Sequence, residues 1–169
     1  MKKVYLIKRS IWMLVSALAL LFPSNDLLLA QPKKEASPAI LATTDGETAG
    51  VRVEVVELKR VSGGTVNLKF VLINDAEKSM DFGYAFGDGG AVDFNTIGGV
   101  HLIDAAGKKK YFVIRDSEKK CVCSRDLKSV APKSRMNLWA KFPAPPEDVQ
   151  KITVVIPHFI PMDDVPISR

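Results

Sequence analysis

The 169-residue sequence lacks the motifs that most often identify an enzyme. It contains no G-x-S-x-G, no H-E-x-x-H and no phosphate-binding loop. It also lacks a strong excess of one charge. Of the net charge of +5, positions 1–30 contribute +3, where four Lys and Arg residues stand against one Asp. The remaining +2 is too small for the basic footprint of a nucleic-acid-binding protein. These absences favour a non-enzymatic protein without a nucleic-acid partner.

Helical periodicity is also missing. No stretch after residue 50 carries a sustained apolar stripe with a period of 3.6 residues, so little helix is expected. Apolar and polar residues alternate instead. Val51, Val53 and Val55 share one face, and the same pattern recurs over residues 65–75. Alternation with a period of two indicates β-strands, and the SGG sequence at residues 62–64 predicts a hairpin turn between the two runs.

Further alternating runs continue the pattern. They occupy residues 100–103, 110–115, 136–142 and 151–156. In the third of these runs Leu138, Ala140 and Phe142 point one way, whereas Trp139 points the other way. About seven or eight short strands between residues 51 and 168 predict an all-β, immunoglobulin-like β-sandwich. A small closed barrel is the alternative.

The first 30 residues are typical of an export signal. Basic residues precede an apolar run from Ile11 to Phe22, a length that suits a signal-peptide core. The alternative is an uncleaved anchor over residues 11–30, which would place Pro23 and Asp26 inside the bilayer. Residues 31–50 are predicted to form a flexible linker because they mix polar residues, proline and glycine without a period. We therefore expect an exported protein, periplasmic or secreted, without a stable membrane span after signal cleavage.

The only two cysteines, Cys121 and Cys123, are separated by one valine. In a straight strand, residues i and i+2 lie about 6.6 Å apart, whereas a disulfide needs Cβ atoms about 3.8 Å apart. The pair can therefore bond only where the backbone turns or bulges. Because export provides an oxidising compartment, an intramolecular disulfide is predicted. The alternatives are free or intermolecular thiols, and redox or metal chemistry aided by Lys119, Lys120 and Arg125.

A metal site is a further hypothesis for the same region. His101, His158 and Met162 could join the two cysteines in the ligand set of a copper carrier. The spacing of these residues is not diagnostic of such a site. A packed or solvated histidine is the commoner role for a residue such as His158, which follows a predicted strand.

The glycine-rich stretch from residue 81 to residue 99 is the longest irregular segment. Its length is typical of a functional loop, while its glycines fit tight turns equally well. A short strand is predicted within it at residues 91–94. Asp81, Asp88 and Asp93 lie in this stretch without the spacing of a calcium-binding loop. Turn aspartates are the better interpretation, and no metal or other cofactor is expected.

Two stretches near the C-terminus resemble exported domains of bacteria. They are VHLIDAAGKKKYFVIRDSEKKCVCS and LWAKFPAPPEDVQKITVVIPHFIPMDDVPIS. The resemblance covers about residues 51–168 and is to the immunoglobulin-like sandwich of MPT63-like secreted antigens, which is similar to the N-terminal domains of some OmpA-family proteins. It implies export and a β-sandwich, and it brings no catalytic residues.

Together these patterns predict an exported, non-enzymatic β-sandwich module that binds or bridges through its loops. Its partner would be an envelope protein or a ligand that the sequence does not identify. The alternative, from another functional class, is a periplasmic copper- or thiol-handling protein that uses Cys121, Cys123, His101, His158 and Met162.

Overall fold

In the computed structural model, the described residues form ten strands around one hydrophobic core. The structure describes residues 39–83, 85–87 and 94–169, and no helix occurs among them. The strands are β1 (Ala42–Asp45), β2 (Val51–Val61), β3 (Thr65–Asn74), β4 (Met80–Asp81), β5 (His101–Asp104), β6 (Lys109–Phe112), β7 (Ser129–Val130), β8 (Ser134–Pro143), β9 (Lys151–Val155) and β10 (Met162–Pro166).

Eight of these strands form two antiparallel sheets. The first sheet has the order β1-β2-β3-β8 and the second has the order β10-β9-β5-β6, while β4 and β7 form a separate short pair. Apolar side chains from the inner faces of both sheets belong to a single buried cluster. Two sheets that share a core in this way are arranged as a β-sandwich. The predicted all-β class is confirmed.

The predicted hairpin between the first two long strands is also confirmed. Val61 at the end of β2 pairs with Thr65 at the start of β3. Gly63 and Gly64 between them have φ angles of 79° and 66°. Glycine adopts such left-handed angles without the steric cost that a Cβ atom brings, so the SGG sequence suits this turn.

The first sheet begins earlier than the alternating pattern indicated. Strand β1 lies within residues 31–50, which were predicted to form a flexible linker, and it pairs with residues 52–55 of β2. Strand β1 was not visible in the sequence, because ATTD carries no run of apolar residues. The strand lies at the edge of the sheet, and its small side chains are at most half-buried. The predicted signal peptide and residues 31–38 lie outside the described residues. No helix in the described part of the chain is long and apolar enough to cross a membrane.

The other half of the β2 edge is covered by residues near the C-terminus. Ser168 pairs in parallel with Lys59. Its N–H donates to the carbonyl of Leu58 at 2.8 Å, and its carbonyl accepts the N–H of Arg60 at 2.8 Å. The neighbouring Ile167 is buried in the core. Strand β1 therefore pairs with one half of the β2 edge, and the segment at residues 167–168 covers the other half.

A single arginine holds the proline-rich turn that follows β8. The guanidinium of Arg60 donates to the carbonyls of Pro145 and Pro146, both at 2.7 Å, and to that of Val149 at 2.9 Å. Its side chain is only 10% exposed and also lies 3.8 Å from the carboxylate of Glu147. Pro145 and Pro146 have no N–H, and Arg60 supplies donors to three of the carbonyls in this turn.

The hydroxyl of Tyr111 on β6 is buried and has no hydrogen-bond partner among the described residues. Burial raises the pKa of Tyr111, with Asp104 adding to the effect and Arg60 opposing it. Replacing an unpaired buried hydroxyl with hydrogen removes its desolvation cost. Tyr111→Phe is therefore expected to leave the free energy of unfolding in urea unchanged or to raise it by about 1 kcal/mol. If the free energy of unfolding falls by about 1 kcal/mol instead, the hydroxyl has a hydrogen-bond partner, such as a bound water.

Candidate functional site

The sulfur atoms of Cys121 and Cys123 lie within bonding distance of each other where the chain bends sharply, and the two Cα atoms are 5.3 Å apart. This distance is shorter than the span of about 6.6 Å for two residues of a regular strand. A turn centred on Asp116 precedes the pair. The carboxylate oxygen Oδ1 of Asp116 accepts the N–H groups of Glu118 and Lys120, both at 2.9 Å. The backbone thus has the bend that bonding of this pair requires.

The cysteine segment lies between the two sheets. On one side Cys123 pairs with Ala140 of β8, and on the other side Cys121 pairs with Arg115, just beyond β6. Both cysteines are buried among the apolar side chains of the core. Thiol exchange needs an accessible sulfur, so this position favours a structural role over redox chemistry. Formation of the bond in the exported protein stays a prediction.

The residues of the copper hypothesis are not brought together. Met162 pairs with Val154 and faces the core. His101 lies on the other face of the second sheet, with its ring 6.2 Å from that of Phe112 and its Nδ1 atom 3.0 Å from the Gly99 carbonyl. Desolvation lowers the pKa of His101. Among the described residues, no group of three or more His, Cys, Asp or Glu side chains is placed to hold a metal ion.

The described ends of the glycine-rich stretch are anchored in the core. Phe82, Phe86 and Ile97 are all buried. The N–H of Gly99 donates to the carbonyl of Phe86 at 2.8 Å, and a Cβ atom at Gly99 would collide with the backbone oxygen of Gly87. At this position glycine is required for packing. Asp88 and Asp93 of the calcium hypothesis, and residues 91–93 of the predicted short strand, lie outside the described residues.

A pocket of about 190 Å³ opens where three segments meet, and we call it the end pocket. The segments are the turn after β1 (residues 46–48), β4 with the described start of the glycine-rich stretch (residues 80–81 and 85–86), and the turn after β9 (residues 158–159). Its lining residues are Gly46, Glu47, Thr48, Val51, Met80, Asp81, Ala85, Phe86, His158 and Phe159. The pocket therefore combines apolar walls with three ionisable side chains.

Backbone contacts fix two of these segments to each other. Gly46 pairs with Phe159 across the two turns, and the N–H of Glu47 donates to the carbonyl of His158 at 2.9 Å. A Cβ atom at Gly46 would lie 2.8 Å from the Phe159 ring. The absence of a side chain at Gly46 therefore permits the close approach of the two turns.

His158 connects all three segments of the end pocket. Its Nδ1 atom lies 2.9 Å from the carboxylate of Glu47, and its Nε2 atom lies 3.1 Å from the carbonyl of Ala85. The ring packs edge-on against Phe86 at a centroid distance of 5.9 Å. Both ring nitrogens face acceptors, so a protonated imidazole can donate to both and a neutral one to only one. The backbone of His158 has a φ of 68°, which is uncommon for a residue other than glycine.

The sequence alone indicates His158 and Asp81 as candidate ligands, but it does not place them in a common pocket. It gives no sign of Glu47, Phe86 and Phe159, because no local pattern connects them. Comparison with family models, with curated proteins and with solved structures finds no match for this chain.

Proposed function

We propose that this chain is an exported, non-enzymatic β-sandwich module of immunoglobulin-like type that binds a ligand or partner through the end pocket. The observation that carries the proposal is the joining of three loop segments around one concave, mainly apolar space. Loops gathered at one end of a sandwich are the usual place for recognition in this architecture, and concave sites with a few convergent polar groups are the usual form of a ligand site.

The contacts of His158 support a site that exists before the ligand arrives. One side chain bonds to the turn after β1 and to the glycine-rich stretch, and the buried Phe86 and Phe159 rings pack together at a centroid distance of 6.2 Å. A preformed site loses less conformational entropy on binding. This rigidity favours specific binding by the end pocket.

The composition of the pocket supports binding over catalysis. Among the described residues that line the pocket, Thr48 carries the only hydroxyl, and none is a cysteine. The ring nitrogens of His158 face Glu47 and Ala85. Nucleophilic catalysis needs a base within hydrogen-bond reach of the nucleophile, and this arrangement commits the His158 ring to other partners.

The proposal is tested by filling the pocket. Thr48→Trp places a large side chain at the exposed rim of the pocket, while Ala49→Trp places the same side chain one residue away, outside the lining. Full-length variants are used to capture partners from envelope extracts, which are then quantified by mass spectrometry. We expect Thr48→Trp to lose a component that both the original protein and Ala49→Trp retain. Equal capture by all three proteins would refute binding through the end pocket.

A further inference from the structure

We infer that the end pocket takes a primary ammonium group carried on a short apolar stem. This inference rests on the proposed function and names the chemical class of its ligand. It follows from three properties of the lining residues: the sign of their charges, the use of their hydrogen-bond donors, and the nature of the walls.

The charges of the pocket favour a cation. Glu47 and Asp81 supply carboxylates, and no Lys or Arg belongs to the lining, although the chain as a whole carries a net charge of +5. Carboxylates act only as hydrogen-bond acceptors. Within the described part of the chain, the carboxylate of Asp81 makes no hydrogen bond or ion pair, so it is available to a ligand.

The donors that an anion would need are used inside the protein. Both nitrogens of His158 face protein acceptors. Five further lining residues donate their backbone N–H groups to backbone carbonyls, namely Gly46, Glu47, Val51, Ala85 and Phe159. A carboxylate or phosphate entering the pocket would meet two carboxylates, and the ring nitrogens of His158 would already face protein acceptors. The hydrogen-bonding capacity of the pocket and its charge therefore both favour a cationic ligand that donates hydrogen bonds.

The walls and the size define the rest of the ligand. Val51, Met80, Phe86 and Phe159 contribute apolar surface, and the aromatic rings attract cations through their faces. The volume of about 190 Å³ is below the usual range of about 300–1,000 Å³ for pockets that hold drug-sized ligands, so a small ligand is expected. An ammonium with three donors on a stem of four or five carbons fits this description. It could come from a lysine side chain of a polypeptide or from a free alkylamine.

The test uses three probes that share one stem. Butylammonium, butyrate and butanol are titrated into the full-length protein, and amide chemical shifts are followed by NMR. We expect butylammonium to shift the signals of Glu47, Asp81 and Ala85 at concentrations where butyrate and butanol do not. Nα-acetyl-lysine amide and its Nζ-acetylated form distinguish the two sources. Binding of only the unacetylated form indicates a polypeptide lysine, and binding of butylammonium alone indicates a free amine.

Matched variants connect the effect to the pocket. Asp81→Asn is expected to weaken binding of butylammonium by about fivefold, the upper range for one exposed charge pair. Asp163→Asn, on β10 and outside the pocket, should leave binding unchanged. Glu47→Gln provides a second test should Asp81→Asn fail to fold. Unchanged affinity in both pocket variants, or equal binding of butyrate, overturns the inference.

Two kinds of failure are distinguishable. If butyrate or butanol shifts the pocket signals as strongly as butylammonium, the end pocket remains a binding site and only the ligand class is wrong. If no probe shifts these signals and Thr48→Trp captures the same components as the original protein, both the ligand class and the proposed function are wrong.

Discussion

Arg60→Ala is expected to lower the free energy of unfolding by about 3 kcal/mol, since hydrogen bonds from a charged group contribute about 1.5–3 kcal/mol each and part of that is recovered by water. The substitution removes the donors to the carbonyls of Pro145, Pro146 and Val149 at once. The turn after β8 then lacks its main link to β2. Urea denaturation monitored by circular dichroism measures the change.

Two further arginine variants complete this experiment. Arg60→Lys keeps the charge but loses the planar fork that reaches three acceptors, so we expect it to recover less than half of the loss. Arg52→Ala removes a more exposed arginine that is paired with Glu54 and Asp75, and surface ion pairs contribute at most about 1 kcal/mol. Equal effects of Arg60→Ala and Arg52→Ala would contradict the role assigned to Arg60.

The double variant Cys121→Ser/Cys123→Ser is expected to lose at least about 2 kcal/mol of stability. Closing so small a loop accounts for less than the 3 kcal/mol or so expected of a 15-residue loop. A consideration of loop length alone therefore predicts only a slight fall in melting temperature. The structure adds a larger contribution, because both cysteines are buried in the core. Each serine hydroxyl left there without a partner costs about 1–3 kcal/mol.

The double variant Cys121→Ala/Cys123→Ala separates these two contributions. It removes the disulfide without adding hydroxyls, so it should be more stable than the serine variant in thermal denaturation. Intact mass measurement with alkylation, before and after reduction, determines whether the bond is present in the exported protein. Two alkylatable thiols in the unreduced monomer would show that it is not. If the serine and alanine variants are equally stable, burial of the hydroxyls is not the main cost.

The long strands were predictable because their core side chains alternate with exposed ones. In β8, Leu138 and Phe142 are buried while Trp139 is 40% exposed, as the alternation indicates. Strand β10 escaped prediction because its sequence MDDVP places two aspartates between apolar residues, and its pairing changes register between Met162 and Val165. Strands β4 and β7 have only two residues each, which is too short for any period to be visible.

The end pocket was not predictable in the same way. Its parts are recognisable by residue type, and His158 was selected as a candidate, but for copper chemistry. Glu47, whose carboxylate contacts the ring of His158, lies 111 positions away from it in the chain. A contact at that separation depends on the packing of the two sheets and on the close approach allowed by Gly46, which no local pattern in the sequence reports.

The covering of the β2 edge sets an order of events during synthesis. Ser168 bonds to Leu58, which precedes it by 110 positions, so this half of the β2 edge stays open until residue 168 has been made. Contacts between residues far apart in the chain also slow folding. Until Ser168 is in place, the N–H and C=O groups along this half of β2 are open to pairing with another strand.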